Sequence, residues 1–132
     1  MKTVLKNLLQ GAANLALAAA FLLAAAVWLP EVFHMKAYVV KSSSMEPAIT
    51  AGSVIYVSQY KDQEQIQPGD IISFKAGEVM VTHRIVSVDR EEKLVTTKGD
   101  ANQVCDASPV SWENIEGKVR FHIPGIGYLL LD

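Results

Sequence analysis

The spacing of apolar residues changes character once along the chain, near residue 30. From Asn7 to Pro30 no residue is charged, and from Leu15 to Leu29 the side chains are only Ala, Leu, Phe, Val and Trp. A helix that is hydrophobic all round has no face to give to water, so it belongs in a core or a bilayer. The roughly 22 residues from Leu8 to Leu29, rising about 1.5 Å each, would reach about 33 Å. That matches the hydrocarbon thickness of a membrane. Trp28 falls where interfacial aromatics collect, and Pro30 is expected to close the helix.

Beyond Pro30 the period shortens to that of strands. Ala37–Lys41, Ser53–Gln59, Ile71–Phe74, Val79–Val88, Lys93–Lys98 and Ile115–Ile123 are dense in Val, Ile, Thr, Tyr and Phe. Turn-forming groups divide them: Ala51-Gly52, Pro68-Gly69-Asp70, Ala76-Gly77-Glu78 and Gly99-Asp100-Ala101-Asn102. Asp89-Arg90-Glu91-Glu92 reads as a charged hairpin tip, and Asp62–Gln67 as a loop or a short helical turn. The end, Pro124–Asp132, turns apolar and is expected to be a last strand or the start of a second membrane helix. The prediction is a mainly β fold, a small and partly closed antiparallel structure, behind a single N-terminal transmembrane helix. Residues 1–30 form the cytoplasmic tip and anchor, and residues 31–132 the β-rich domain.

Charge sets the orientation. Lys2 and Lys6 precede the apolar run and no acid does, so the N-terminus is expected to stay cytoplasmic. A cleavable secretory signal is the competing reading, because Ala24-Ala25-Ala26 resembles a cleavage site. The uncharged span is longer than a usual signal core, which favours a retained anchor; either reading sends the rest of the chain to the same side. That remainder holds 10 of the 12 basic residues and all 14 acids, a formal balance of −4. It has no basic stripe of the kind nucleic-acid binding requires. The lone Cys105 rules out an internal disulfide, so the outer domain must rely on its core.

Candidate chemistry is spread thinly. Ser42, Ser43 and Ser44 could supply a nucleophile, with Pro47 stiffening the chain just after them, although a serine run is also an ordinary turn. Among His34, His83 and His122, His83 alternates with Val79, Val81 and Ile85 on one strand face. A histidine there is either a bonded core residue or an imidazole held at an apolar cleft for proton transfer near neutrality. Asp100 and Asp106 follow on a turn, where each has an ordinary role as a backbone acceptor. A Ser–His pair gains from such an acid, which fixes the imidazole tautomer. The spacing of His83, Asp100 and Asp106 lacks the close pairs of a structural zinc site.

Four boxes occur in order behind the anchor: Ser44-Met45-Glu46-Pro47, residues 68–74 (PGDIISF), residues 81–86 (VTHRIV) and residues 98–102 (KGDAN). Together they resemble the type I signal peptidases that use histidine, found in the endoplasmic reticulum, archaea and some Gram-positive bacteria. The resemblance runs from the anchor to about Gly125. It implies a signal-peptidase-like β-fold and a membrane-bound serine endopeptidase that cuts signal peptides from secreted preproteins through an acyl-enzyme. Ser44 would be nucleophile and His83, where lysine-using relatives carry lysine, general base. Asp106 would orient His83 with Asp100 supporting, and Ser42 would join the Ser44 N–H in the oxyanion hole. Arg84 would be structural, paired with an acid of the Asp100 turn. The resemblance further implies an extended substrate along strand edges, shallow pockets for small side chains at the first and third positions before the cut, and no cofactor or metal. The partners are membrane-inserted preproteins and the lipid bilayer, with accessory subunits not indicated. The short chain fits a bacterial or archaeal plasma membrane better than an endoplasmic-reticulum complex. Two other classes stand beside it: a non-catalytic membrane-anchored β-module of a secretion complex, and a self-cleaving repressor-type Ser protease. The second would carry a lysine base and a DNA-binding domain in place of His83 and the anchor.

Overall fold

The uncharged run forms one helix, α1 (Lys2–Val32), in a computed structural model that describes residues 1–32 and 34–130. Between Lys2 and Trp28 it is long and apolar enough to cross a membrane, and nearly all its described side chains are exposed. Pro30 does not close it. A proline removes one N–H from the helix ladder, and the helix carries that loss for two residues before ending at Val32. Residues 1–33 and 34–132 are separate compact units.

The second unit is built on a seven-stranded antiparallel sheet. Its strands are β1 (Met35–Val39), β2 (Val54–Ser58), β3 (Ile71–Ala76), β4 (Val79–Asp89), β5 (Leu94–Lys98), β6 (Val110–Ser111) and β7 (Ile115–Ile123). They lie in the order β1-β2-β7-β3-β4-β5-β6. The first strand begins earlier than its composition suggested, at Met35 opposite Ser58. Its predicted end survives as two further bonds, Val40 N–H to Ser53 O at 2.9 Å and Gly52 N–H to Val40 O at 2.8 Å. Strand β6 was not anticipated; two residues are too few to show a period.

Among the described residues, the apolar end forms no strand and no long helix. Ile126–Leu130 is a 3-10 turn folded back on the Ala51-Gly52 corner, with Gly127 N–H on Gly52 O at 2.8 Å and the Tyr128 hydroxyl on Ala51 O at 3.2 Å. Gly52 takes φ +80°, a left-handed backbone that favours glycine, and a Cβ there would displace the exposed Tyr128 ring packed on it. Gln63–Gln65 is also a 3-10 turn, capped by the Asp62 carboxylate on Glu64 N–H.

Two apolar clusters carry the core. One gathers Ile72, Phe74, Ile85, Val95 and Trp112 beneath β3, β4 and β5. The other gathers Val40, Met45, Ile49, Ile55 and Val57 beneath β1 and β2. Each fully buried aliphatic side chain contributes roughly 1.5–3 kcal/mol. A buried polar node also lies in the domain: Asp70 accepts from the Tyr60 hydroxyl at 2.7 Å and from Lys118 Nζ at 2.6 Å. Burial and this carboxylate push the Tyr60 phenol far above its ordinary value, so it stays a donor.

The hairpin between β3 and β4 turns on Gly77-Glu78, with Gly77 at φ +65°. β4 pairs β3 from Val79 to Arg84, but β5 only from Arg84 to Asp89. The stretch Val79–His83 therefore has a strand on one side only, among the described residues. β1 likewise pairs only β2. Three strands separate β1 from β4 in the sheet, yet residues of both line one groove of about 700 Å³. The sheet curls around that groove while its outer strands stay unpaired with one another.

Candidate active site

Ser44 opens a turn that the core holds from below. Its neighbour Met45 and, one turn on, Ile49 are both buried to 1% exposure, and Ile49 N–H bonds Met45 O at 2.9 Å. Ser44 itself stays half-buried at the groove, its carbonyl accepting Ala101 N–H at 2.9 Å. The apolar spacing of Met45 and Ile49 explains the rigidity that the serine run alone does not.

His83 projects inward from β4 beside Ile85, buried, with its ring edge against Phe74 (centroids 6.3 Å apart, planes at 68°). Its Nδ1 lies 2.6 Å from Asp106 Oδ2 and its Nε2 lies 3.1 Å from Ser44 Oγ. A carboxylate can only accept, so in the neutral ring Nδ1 carries the proton and Nε2 accepts the Ser44 hydroxyl. Ser44 Oγ is also 3.0 Å from Ser42 Oγ, which, with the Ser44 proton directed to His83, is left to donate. Ser42, Ser44, His83 and Asp106 thus form one continuous chain of hydrogen bonds. Ser43 is exposed and accepts Glu46 N–H through its carbonyl.

Asp100 lies on another branch. Its carboxylate takes a two-pronged bond from Arg84, Nε to Oδ1 at 2.9 Å and Nη2 to Oδ2 at 2.7 Å. That guanidinium holds the Asp100 carboxyl below its ordinary range, and Asp100 raises Arg84 in turn. Arg84 also reaches Gly69 O at 3.0 Å, and Lys98 Nζ bonds the carbonyls of Gly99 and Asn102. These bonds clamp the Gly99–Asn102 turn, which in turn presents Ala101 N–H to Ser44. Gly99 sits where the turn passes close to the site: a Cβ there would lie 2.6 Å from Ser44 O and 3.1 Å from His83 Nε2.

His34 and His122 are exposed, the first in the turn before β1 and the second on β7. Cys105 is exposed next to Asp106. The groove that ends at Ser44 and His83 is walled by Tyr38, Val39 and Val40 on one side and Val79, Met80 and Val81 on the other. A two-residue hairpin makes Ala76 and Val79 a hydrogen-bonded pair, and alternation from there turns the peptide groups of Met80 and Thr82 outward, to the open edge.

The family model for "Signal peptidase, peptidase S26" matches residues 13–101, most of the chain. The chain belongs to this family. The match takes in Ser42, Ser44, His83 and Asp100 and stops short of Asp106. Among relatives, signal peptidase I W of Bacillus subtilis (strain 168) is 40% identical over 99 residues, covering 72% of this chain and 52% of that one. The signal peptidase complex catalytic subunit SEC11 of Candida tropicalis is 29% identical over 110 residues, covering 74% and 65%. The catalytic subunit SEC11C of Canis lupus familiaris is 29% identical over 105 residues, covering 70% and 54%. The chain thus spans between about half and two thirds of these relatives' own length.

Within this family fold, sequence reasoning passed over Thr97, Gly99 and Asn102. Thr97 could have been found, because it is a hydroxyl at an inward position of β5, two residues from buried Val95, and a buried hydroxyl requires a partner. Gly99 and Asn102 carry no such mark; their roles come from how close the turn passes to Ser44.

Proposed function

We propose that the chain is a membrane-anchored serine endopeptidase that removes signal peptides from secreted preproteins. The observation that carries this reading is the Ser44–His83–Asp106 hydrogen-bond chain at the end of a groove with two unpaired strand edges.

Ser44 Oγ attacks the scissile carbonyl while His83 Nε2 takes its proton. Asp106 keeps Nδ1 protonated and faces the imidazolium that forms. The negative charge that develops on the carbonyl oxygen is met by the Ser44 N–H and by the Ser42 hydroxyl, which turns from Ser44 Oγ to the new oxyanion; one such donor is worth on the order of 10²–10³ in rate. His83 then protonates the leaving amine. In the second half, water gives its proton to His83 as it attacks the acyl-enzyme, and His83 returns that proton to Ser44 Oγ as the ester bond breaks. Asp100 acts at one remove, through Arg84 and the Ala101 turn.

The substrate lies extended in the groove and pairs with the outward peptide groups of Met80 and Thr82 as an added strand. Small side chains before the cut fit the shallow apolar walls. The helix α1 anchors the protein in the plasma membrane with Lys2 and Lys6 on the cytoplasmic side, and residues 31–132 form the extracytoplasmic peptidase domain. Relatives named as subunits of a signal peptidase complex leave room for partner subunits here as well.

The test is processing of a preprotein in membranes by wild type, Ser44→Ala and His83→Ala. Both variants are expected to lose cleavage. Undiminished processing by both would remove the enzyme reading and favour a non-catalytic module.

A further inference from the structure

Thr97 belongs to none of the roles above, yet Asp106 depends on it twice. Its side chain is fully buried on the inner face of β5. Its hydroxyl donates to Asp106 Oδ2 at 2.6 Å, the same oxygen that meets His83 Nδ1. Its carbonyl accepts Asp106 N–H at 2.8 Å.

The segment around Asp106, residues 102–109, contains neither helix nor strand. A carboxylate in such a loop, here 26% exposed, would by itself turn toward water. Two bonds from one rigid strand residue prevent this. The main-chain bond fixes where the loop touches β5, and the hydroxyl bond fixes which oxygen faces His83 and in what plane. Threonine suits the task better than serine, because its β-branch restricts χ1 and presets the hydroxyl. Only one proton is available on that hydroxyl, and it is spent on Asp106.

We propose that Thr97 is a positioning residue: it clasps Asp106 so that Oδ2 meets His83 Nδ1, which keeps Nε2 free for the Ser44 proton. This rests on the Ser44–His83–Asp106 reading, and the test separates the two. The full chain is assayed in phospholipid–detergent micelles on a preprotein, as wild type, Ser44→Ala, Thr97→Val, Thr97→Ser, Asp106→Ala and Thr97→Val/Asp106→Ala. Thr97→Val keeps shape and removes the donor. Its kcat is expected to fall about 10–100-fold, the value of a hydrogen bond to a charged group, with KM nearly unchanged. Thr97→Ser is expected to recover most of the loss. In the Asp106→Ala background, Thr97→Val should change kcat by less than about twofold, because its target is gone. The low-field Nδ1 proton resonance of His83 reports the same contact without turnover, and it should shift or vanish in Thr97→Val and return in Thr97→Ser.

Wild-type kcat and an unmoved resonance in Thr97→Val would overturn the proposal while leaving the serine-peptidase reading intact. So would an equal loss from Thr97→Val with Asp106 present or absent. Processing that survives Ser44→Ala would instead sink the underlying reading. If Thr97→Val does not fold, Thr97→Cys, with a poor donor of similar size, takes its place, and full activity in it would refute the clasp.

Discussion

Gly99→Ala is the sharpest single perturbation of the site. Gly99 does not hold a left-handed backbone conformation, so alanine meets no backbone strain and the effect is one methyl group in a filled space. That methyl would lie 2.6 Å from Ser44 O, 2.8 Å from Asn102 Nδ2 and 3.1 Å from His83 Nε2. The Asn102 amide is the tip of an exposed side chain and swings away. The Ser44 carbonyl is main chain, pinned by Ala101 N–H at 2.9 Å, and must retreat by about 0.8 Å to reach ordinary contact. A shift of that size carries Ser44 Oγ from 3.1 Å to beyond hydrogen-bond reach of His83. Misplacement on the order of 1 Å costs about 10² in rate. Overpacking costs about 1–3 kcal/mol in stability, small enough to leave the domain folded. The assay is kcat on a preprotein alongside a thermal melt, with Gly11→Ala as control because nothing lies within 4 Å of a Cβ there. A folded Gly99→Ala protein that cuts within threefold of wild type would refute the claim that this close approach sets the nucleophile.

Other expectations follow from the same geometry. Asp106→Ala should abolish most turnover, whereas Asp100→Ala should cost only a few-fold in kcat; the reverse order, measured on one substrate, would exchange their assigned roles. The Asp100 carboxyl is held below its unfolded value by Arg84, so its contribution is present above about pH 4 and is lost as pH falls further through the folded value. For this partly exposed pair that amounts to about 1 kcal/mol; Asp100→Asn should flatten that part of the acid denaturation curve, and an unchanged curve would count against the clamp. Asp70→Ala leaves Lys118 and the Tyr60 hydroxyl without their acceptor and should lower stability by about 3 kcal/mol in urea unfolding. Leu17→Lys places a charge at the middle of α1 at a cost of about 2.5–3.5 kcal/mol for insertion, and should move protein from the membrane to the soluble or aggregated fraction.

Much of the domain was legible because its period is simple. The strands at Ile71, Val79, Leu94 and Ile115 follow alternation and turn residues closely enough that their ends moved little. What escaped lies where local pattern and tertiary contact part ways. Strand β6 is a pairing of two residues with β5, visible only once β5 is in place. The apolar end reads as strand or membrane helix by composition, but a glycine-to-glycine contact with the Gly52 corner folds it back. In the site, the residue types of Ser44, His83 and the two acids stood out, while the sorting of those acids came from the family resemblance and not from the residues themselves. Spacing along the chain cannot tell that Arg84, pointing from β4 on the opposite face to His83, takes Asp100 and leaves Asp106 to the imidazole.

The open edge of β4 has a consequence for discrimination. Met80 and Thr82 offer peptide groups, and peptide groups meet only what every polypeptide has in common. A chain docked there is held without being read. On the proposed peptidase reading, selectivity would then rest with the few side chains that reach the groove walls, so that many unrelated sequences could enter and small differences at one or two positions would decide which are cut. An edge of this kind would trade fine recognition for breadth.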